Sequence, residues 1–178
     1  MRIISGTHKG RTFQVSKAFK SRPTTDIARE SLFNVIAHQY RINGLVVVDL
    51  FSGSGAISYE FASRCAAQVL SIEKSYPVCK QIMKNAKDLG LEVIKVLRKD
   101  VFKWLSTSDH KADIIFADPP FDMKGLETLP DLVIENGFLN EGGCFILEHG
   151  RDHDFSEHKN FEELKQYGSV HFSFFFVD

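Results

Sequence analysis

Cysteine is scarce in this chain of 178 residues: Cys65, Cys79 and Cys144 are scattered, odd in number, and form no Cys-x-x-Cys pair. That pattern points away from a disulfide framework and from a cysteine metal knuckle, and toward free thiols in a reducing cytoplasm. Long apolar runs are also missing. None approaches the roughly 20 residues of a membrane span, and Met1-Arg-Ile-Ile-Ser-Gly6 has no apolar core of the kind a signal peptide carries. Repeats and low-complexity tracts are absent. Net charge is only -1, which by itself selects no partner. His149, His153 and His158 lie close together, but Gly150 interrupts any helix that would align the first two, and no further ligand completes a set. No metal is expected.

Hydrophobic residues make up 43% of the chain, which fits one compact α/β domain with a small appendage. Charge is unevenly distributed. Residues 1–41 hold eight Lys/Arg against two acids, whereas the remainder is acidic on balance. A basic N-terminal arm on an acidic body suits an enzyme that docks on a polyanion; a solvated basic surface is the plainer alternative. The division expected is a basic β-hairpin and loop over 1–23 and a main domain over 24–178.

Within the arm, two β-rich runs, residues 2–6 and 11–15, flank Thr7-His8-Lys9-Gly10 and read as a hairpin. Thr24 or Thr25 caps a helix with Asp26 and Glu30 early and an apolar stripe of Ile27, Leu32, Val35 and Ile36. From residue 45 strands alternate with helices. Strands are expected at 45–50, 69–72, 92–97, 112–117 and 143–148, and helices near 55–64, 76–89, 101–106 and 125–136, with Gly90 as a helix stop. Short apolar strands such as Leu45-Val-Val-Val48 belong to a parallel sheet covered on both faces. Phe161 to Gln166 fits a helical turn or a strand; Val170 to Val177 is a strand, and Gly168-Ser169 between them favours a terminal antiparallel hairpin on the sheet edge. Phe174-Phe175-Phe176 then needs cover on both sides. Trp104 and Met83 read as core residues.

In sheets of this kind, ligands bind at the carboxyl ends of the strands. Asp49, Glu73, Asp100 and Asp118 each end or just follow an expected strand. Gly53-Ser54-Gly55 permits a tight turn and a close backbone approach. It is not a phosphate loop, because no Lys-Ser/Thr follows and Ser58 stands where a third glycine would be. A cofactor without phosphates fits better, its ribose hydroxyls accepted by Glu73.

Asp118-Pro119-Pro120-Phe121 carries the sharpest chemistry. Two prolines fix the backbone and remove two donors, so the loop leaves the sheet with its carbonyls free. Asp118 supplies an acceptor and Phe121 a ring on which a planar base can stack. Acceptors around an exocyclic amine would aim its lone pair at an electrophilic methyl group and stabilise the positive charge that develops.

These residues together resemble class I S-adenosylmethionine methyltransferases. Asp49-Leu-Phe-Ser-Gly-Ser-Gly55 is similar to their first motif, Glu73 to their ribose-binding acid, Asp100 to the residue beside adenine, and Asp118-Pro-Pro-Phe121 to the motif of enzymes that methylate amino nitrogens. Arg2-Ile-Ile-Ser-Gly6, Lys9-Gly-Arg11, and Arg22-Pro-Thr-Thr-Asp26 with Arg29-Glu-Ser-Leu-Phe-Asn34 are further similar to the RsmD family, which methylates N2 of one guanine in 16S rRNA. The resemblance implies a Rossmann-like fold, S-adenosylmethionine as cofactor, and 16S rRNA or the assembled small ribosomal subunit as partner, with no membrane and a monomeric cytoplasmic enzyme. It implies a cofactor site of Asp49, Phe51, Gly53, Ser54 and Gly55, with Glu73, Lys74, Asp100, Val101 and Asp118. It also implies that Arg22 to Asn34 packs over the cofactor and the target base. RNA contacts are expected from Arg2, Lys9, Arg11, Lys20, Arg22, Thr24 and Arg29. Departures are Ser52 where the family often has Ala, Ile27 for Arg, and Phe121 for Tyr.

Two other readings stand beside this one. The motif at Asp118 would serve adenine N6 in DNA or RNA, or a protein amide, although no separate DNA-recognition domain is visible and a protein amide enzyme usually has Asn there. A non-catalytic RNA-binding or assembly module is the reading from another class. Retention of Asp49, Gly53, Gly55, Glu73 and Asp118 speaks against it.

Overall fold

The computed structural model describes residues 1–19, 24–120 and 122–178. Lys20, Arg22 and Phe121, three of the expected site residues, lie outside the described residues, as does the expected boundary at residue 23.

Seven strands form one sheet: β1 (Val46–Leu50), β2 (Gln68–Glu73), β3 (Ile94–Arg98), β4 (Ala112–Ala117), β5 (Leu139–His149), β6 (Phe161–Tyr167) and β7 (Val170–Phe176). Their order is β3-β2-β1-β4-β5-β7-β6. The first five are parallel; β7 runs antiparallel to both β5 and β6. Helices α1 (Asp26–Gln39), α2 (Ala56–Ser63), α3 (Tyr76–Leu89), α4 (Val101–Leu105) and α5 (Leu129–Glu135) accompany it. Two core clusters result, one per sheet face. Val47, Ile114, Phe116 and Ile146 join α1, α2 and α3 on one face. Val48, Ile115, Phe145 and Leu147 join Trp104 and α5 on the other. Alternate residues of one strand thus serve opposite cores, which is why the central strands β1 and β4 and the second half of β5 are largely apolar.

The expected elements recur with instructive shifts. Thr25 caps α1, its hydroxyl accepting from the Ala28 N–H at 3.2 Å. Gly90 ends α3 at φ 72°. The buried face of α1 is Ala28, Arg29, Leu32, Phe33 and Ile36, so Ile27, expected in the apolar stripe, is instead 76% exposed. Met83 also lies exposed on α3 rather than in the core. Strand β5 begins at Leu139, four residues earlier than expected, because a register shift opposite Ala112 and Ile114 absorbs Gly142-Gly143. The segment at 125–136 splits into a short 3-10 turn (Leu126–Thr128) and α5.

The terminal hairpin is present, with β7 inserted beside β5 and β6 on the edge. Phe172 and Phe174 face one core and Phe175 the other, so the phenylalanine run is covered on both sides. Strand β6 alternates half-buried and exposed residues and carries Glu162, Glu163 and Lys165, charges suited to an edge.

The N-terminal hairpin is shorter than expected. One antiparallel bridge, Arg2 with Thr12, is flanked by Ile3 N–H to Arg11 O (2.9 Å) and Phe13 N–H to Met1 O (2.9 Å). Ile3 and Phe13 enter the core cluster beneath α1 and α2. The tip docks on the end of α2: Thr7 N–H donates to Ser63 O (2.7 Å), and a Cβ on Gly6 would stand 2.0 Å from that same oxygen.

Candidate active site

Four strand ends and two loops frame one cleft with two chambers. Strand β1 ends in Asp49-Leu50 and the chain turns through Phe51 to Gly55 into α2. Phe51 is held at φ 60°, a left-handed conformation uncommon outside glycine and found where surrounding structure enforces it. Gly53 (φ 49°) lies so close to Phe19 that a Cβ would stand 2.5 Å from its ring. Phe19, the last described residue of the arm, therefore roofs the glycine turn.

The first chamber, about 370 Å³, is lined by Asp49, Phe51, Gly53, Ser54, Asp118, Pro119, Pro120, Thr24 and Glu148 among others. The second, about 390 Å³, is lined by Glu73, Lys74, Asp100, Val101, Phe102 and Met123. Phe19, Phe51, Gly53, Asp118, Pro120 and Asp122 border both. Each volume is in the range of small-molecule sites, roughly 300–1,000 Å³. Among the residues expected at the cofactor, all but Gly55 line one chamber or the other; Gly55 shapes the turn as the cap residue of α2 at φ 78°.

Hydrogen bonds fix these groups. Glu73 Oε2 accepts from the Gly53 N–H (3.2 Å) and its Oε1 from the Ser75 N–H (2.7 Å), which ties the end of β2 to the glycine turn. Asp100 caps α4 by accepting from the Lys103 N–H at 3.2 Å. Ser58, noted in the sequence only as a departure from a dinucleotide fingerprint, is buried and donates to Asp49 Oδ2. The Pro120 carbonyl accepts from the Met123 N–H (2.9 Å), closing the loop after β4.

Three carboxyl groups share one face of the sheet. Asp49 is opposite Phe116, and Ala117 is opposite Leu147, so Asp118 and Glu148 follow as neighbours on adjacent strands. Asp49 is 1% exposed and Glu148 3%. Burial pushes the Asp49 carboxyl up to about 7, against the lowering effect of the Ser58 hydrogen bond. Burial likewise raises Glu148 to about 7, although Thr24 Oγ1 donates to its Oε2 at 3.0 Å. Asp118 is held well above the usual carboxylate range by burial and by the neighbouring Glu148 and Asp49. Among the described residues no Lys or Arg forms an ion pair with any of the three. Such a cluster favours a ligand that brings positive charge or hydrogen-bond donors.

Of the expected RNA-contact residues that are described, only Thr24 lines this cleft. Arg2, Lys9 and Arg11 are exposed. The hairpin tip with Lys9 sits at the Ser63 end of α2, whereas the cleft lies at the Gly55 end, about 12 Å away along an eight-residue helix. Thr24 does reach the cleft, through Glu148. Arg29 is corrected outright: it is 0% exposed, and its Nη2 donates to Arg2 O (2.6 Å) and Asp26 Oδ1 (2.9 Å). Its Nε lies 3.4 Å from Glu60 Oε1. This arginine locks the arm to α1 and α2 and is inaccessible to a phosphate.

Sequence reasoning missed Phe19, Asp122 and Glu148. Glu148 carried the same signal as Asp49, Glu73 and Asp118, an acid at the end of an apolar strand.

Strand order and the position of the cleft define the Rossmann-like class I methyltransferase fold. The family described as conserved hypothetical protein 95 (Cons_hypoth95) matches residues 1–176, and the chain belongs to that family. Ribosomal RNA small subunit methyltransferase D of Escherichia coli K12 is 35% identical over 148 residues, covering 83% of this chain and 74% of that protein. The protein of the same name from Haemophilus influenzae is 32% identical over 171 residues, 93% of this chain and 87% of its own. Among solved structures, yhhF from Escherichia coli superposes with a TM-score of 0.87 at 31% identity, covering 100% of this chain and 98% of that one. An RNA methyltransferase from Salinibacter ruber, in complex with S-adenosyl-L-homocysteine, shares the fold at a TM-score of 0.68 and 18% identity, over 88% of this chain and 94% of that one. No helix among the described residues is long and apolar enough to cross a membrane.

Proposed function

We propose that the chain transfers the methyl group of S-adenosylmethionine to the exocyclic N2 of a guanine in 16S rRNA, acting on the small ribosomal subunit or its RNA as a cytoplasmic monomer. Relatives named ribosomal RNA small subunit methyltransferase D support the RNA class. The observation that carries the chemistry is the position of Asp118, which borders both chambers of the cleft.

The second chamber fits the adenosine part of the cofactor. Glu73 offers acceptors to ribose hydroxyls, and Val101 and Phe102 offer apolar surface to adenine. Asp49 and the Gly53–Gly55 turn would hold the amino-acid part. When bound, S-adenosylmethionine supplies an electrophilic methyl group. The protein's own work is to orient the amine. Asp118 and the Pro119 carbonyl accept from N2–H, so the nitrogen lone pair points along the transfer direction. As N2 gains positive charge, the Asp118 carboxylate stabilises it, the buried setting strengthens that interaction, and the same carboxylate takes the proton N2 then releases to leave the neutral methylamine. A base held in a duplex or stack must first turn out to reach a recessed site. Arg2, Lys9 and Arg11, which are exposed, together with Lys20 and Arg22, would contact phosphates and position the enzyme without reading sequence.

The test is transfer of tritiated methyl groups to small subunits from a strain lacking the enzyme, followed by nucleoside mapping. Wild-type protein should yield N2-methylguanosine. Asp118→Asn should lower kcat on the order of 10²–10³-fold while calorimetry shows cofactor affinity little changed. Label recovered as N6-methyladenosine or in protein, or full turnover by the variant, would overturn the assignment.

A further inference from the structure

Glu148 is a buried charge in the cleft that methyl transfer as described above does not require. It stands one residue before the end of β5 and Asp118 just follows β4, each one residue beyond the paired Ala117 and Leu147. Neighbouring strands lie about 4.8 Å apart, and Asp118 and Glu148 share the face occupied by Phe116 and Ile146. Two acceptors therefore stand side by side at the first chamber. Thr24 Oγ1 donates to Oε2 of Glu148 at 3.0 Å and fixes the carboxyl group. Its Oε1 has no protein hydrogen-bond partner among the described residues. Phe116 lines the same chamber, and Phe172, paired with Glu148 across β5 and β7, packs near it with ring centroids 6.4 Å apart. A carboxylate 3% exposed, with one protein donor, is poorly compensated unless a ligand supplies another.

The nucleobases differ in what stands beside the amine to be methylated. Guanine carries N1–H next to its N2 amine, two adjacent donors. Adenine carries the N1 lone pair next to its N6 amine, and cytosine the N3 lone pair next to its N4 amine. Two neighbouring carboxylates accept the guanine edge and repel the other two. Resting on the guanine-N2 reading above, we infer that Glu148 is a specificity-determining residue whose Oε1 accepts the N1–H of the target base while Asp118 accepts from N2–H. Thr24 is a positioning residue for that carboxylate. Asp118 alone would serve any exocyclic amine; the pair serves guanine.

The experiment uses small subunits reconstituted with 16S rRNA carrying either guanosine or 2-aminopurine ribonucleoside at the mapped position. 2-Aminopurine keeps the methyl-accepting amine but has a lone pair at N1. At pH 8 wild-type protein should prefer guanine by at least on the order of 10²-fold in kcat/KM, since a buried charged acceptor left without its donor strongly disfavours the analogue. Glu148→Gln can turn its amide to donate to N1, so its preference should narrow at least about tenfold, with cofactor affinity unchanged by calorimetry. Loss of O6 in the analogue is common to both proteins and cancels in the comparison. Glu148→Asp, which withdraws the charge by one methylene, should narrow the ratio too and decides the matter if the Gln variant does not fold. Equal use of both substrates by wild type, or the same preference in wild type and variant, overturns the inference. A wild type that forms no N2-methylguanosine on guanine subunits would sink the parent reading instead.

Discussion

Replacing Arg29 with alanine separates two roles that an arginine in a basic arm can have. If Arg29 held the RNA backbone, its loss would weaken binding and reduce the salt dependence by about one phosphate contact. Its placement argues otherwise. The guanidinium is fully buried, bonded to Arg2 O and Asp26 and facing Glu60. Glu60 is buried as well; besides Arg29 it faces Arg64 (3.5 Å) and accepts from the Ile4 N–H. Breaking a buried pair by removing one partner costs about 3–5 kcal/mol. Arg64 remains to compensate Glu60, so the lower end, about 3 kcal/mol, is expected, a large share of the 5–15 kcal/mol typical of a domain. With a urea slope of about 2 kcal/mol/M, the unfolding midpoint of Arg29→Ala should fall by about 1.5 M. The salt slope of RNA binding, measured on folded protein, should stay unchanged. A midpoint within about 0.3 M of wild type, together with a slope reduced by one, would refute the structural role and restore the phosphate contact.

Two further outcomes follow from the cleft. Gly53→Ala requires a left-handed alanine (φ 49°) and a displaced Phe19 ring; stability should drop about 1–2 kcal/mol and cofactor affinity should weaken, whereas unchanged melting and calorimetry would show the turn to be permissive. Asp49 has a folded-state value of about 7 against an ordinary value near 4. Its stability contribution is therefore full below the unfolded value and lost as pH rises toward the folded one, with a ceiling of about 4 kcal/mol. Cofactor-free Asp49→Asn should show a flatter loss of stability between pH 4 and 8 than wild type, in urea midpoints taken across that range. The buried His149, whose pKa is lowered chiefly by burial, acts in the opposite sense but equally in both proteins. Identical slopes would remove Asp49 from the account.

Most of what the sequence disclosed rested on a local signal, although Glu148 carried one as well and was missed. Asp49, Glu73 and Asp118 were legible because an apolar strand ending in an acid is written in six or seven consecutive residues. Gly53 was legible for the same reason, and Thr25 because a cap needs only its own turn. Arg29 was not. Its partner Glu60 is 31 positions away on another helix, and nothing in the Asp26 to Asn34 segment marks an arginine for burial. Phe19 was hidden in a basic loop, where its partners, Gly53 among them, are brought near by folding. The order of the last two strands was undetermined for a different reason. Either strand of a hairpin can pair with β5; the choice falls on β7 because Phe172, Phe174 and Phe175 fill both cores while β6 is charged.

The carboxyl cluster gives a reason why the cleft is acidic although the protein is proposed to act on a polyanion. Asp49, Asp118 and Glu148 all have raised proton affinities, and burial is the first cause in each case. A protein selected for stability alone would replace such a cluster with apolar residues or pair it with arginine. A site for a sulfonium donor and an amine acceptor needs the reverse. The donor brings positive charge, and the acceptor gains it during transfer, so each ionised carboxylate is better compensated with the reactants present than without them. The same field repels phosphates from the cleft, whereas the exposed Lys9, at the hairpin tip beside the Ser63 end of α2, presents a cation away from it. On the proposed activity, an acidic reaction centre would admit the base and turn away the phosphates of the backbone that carries it.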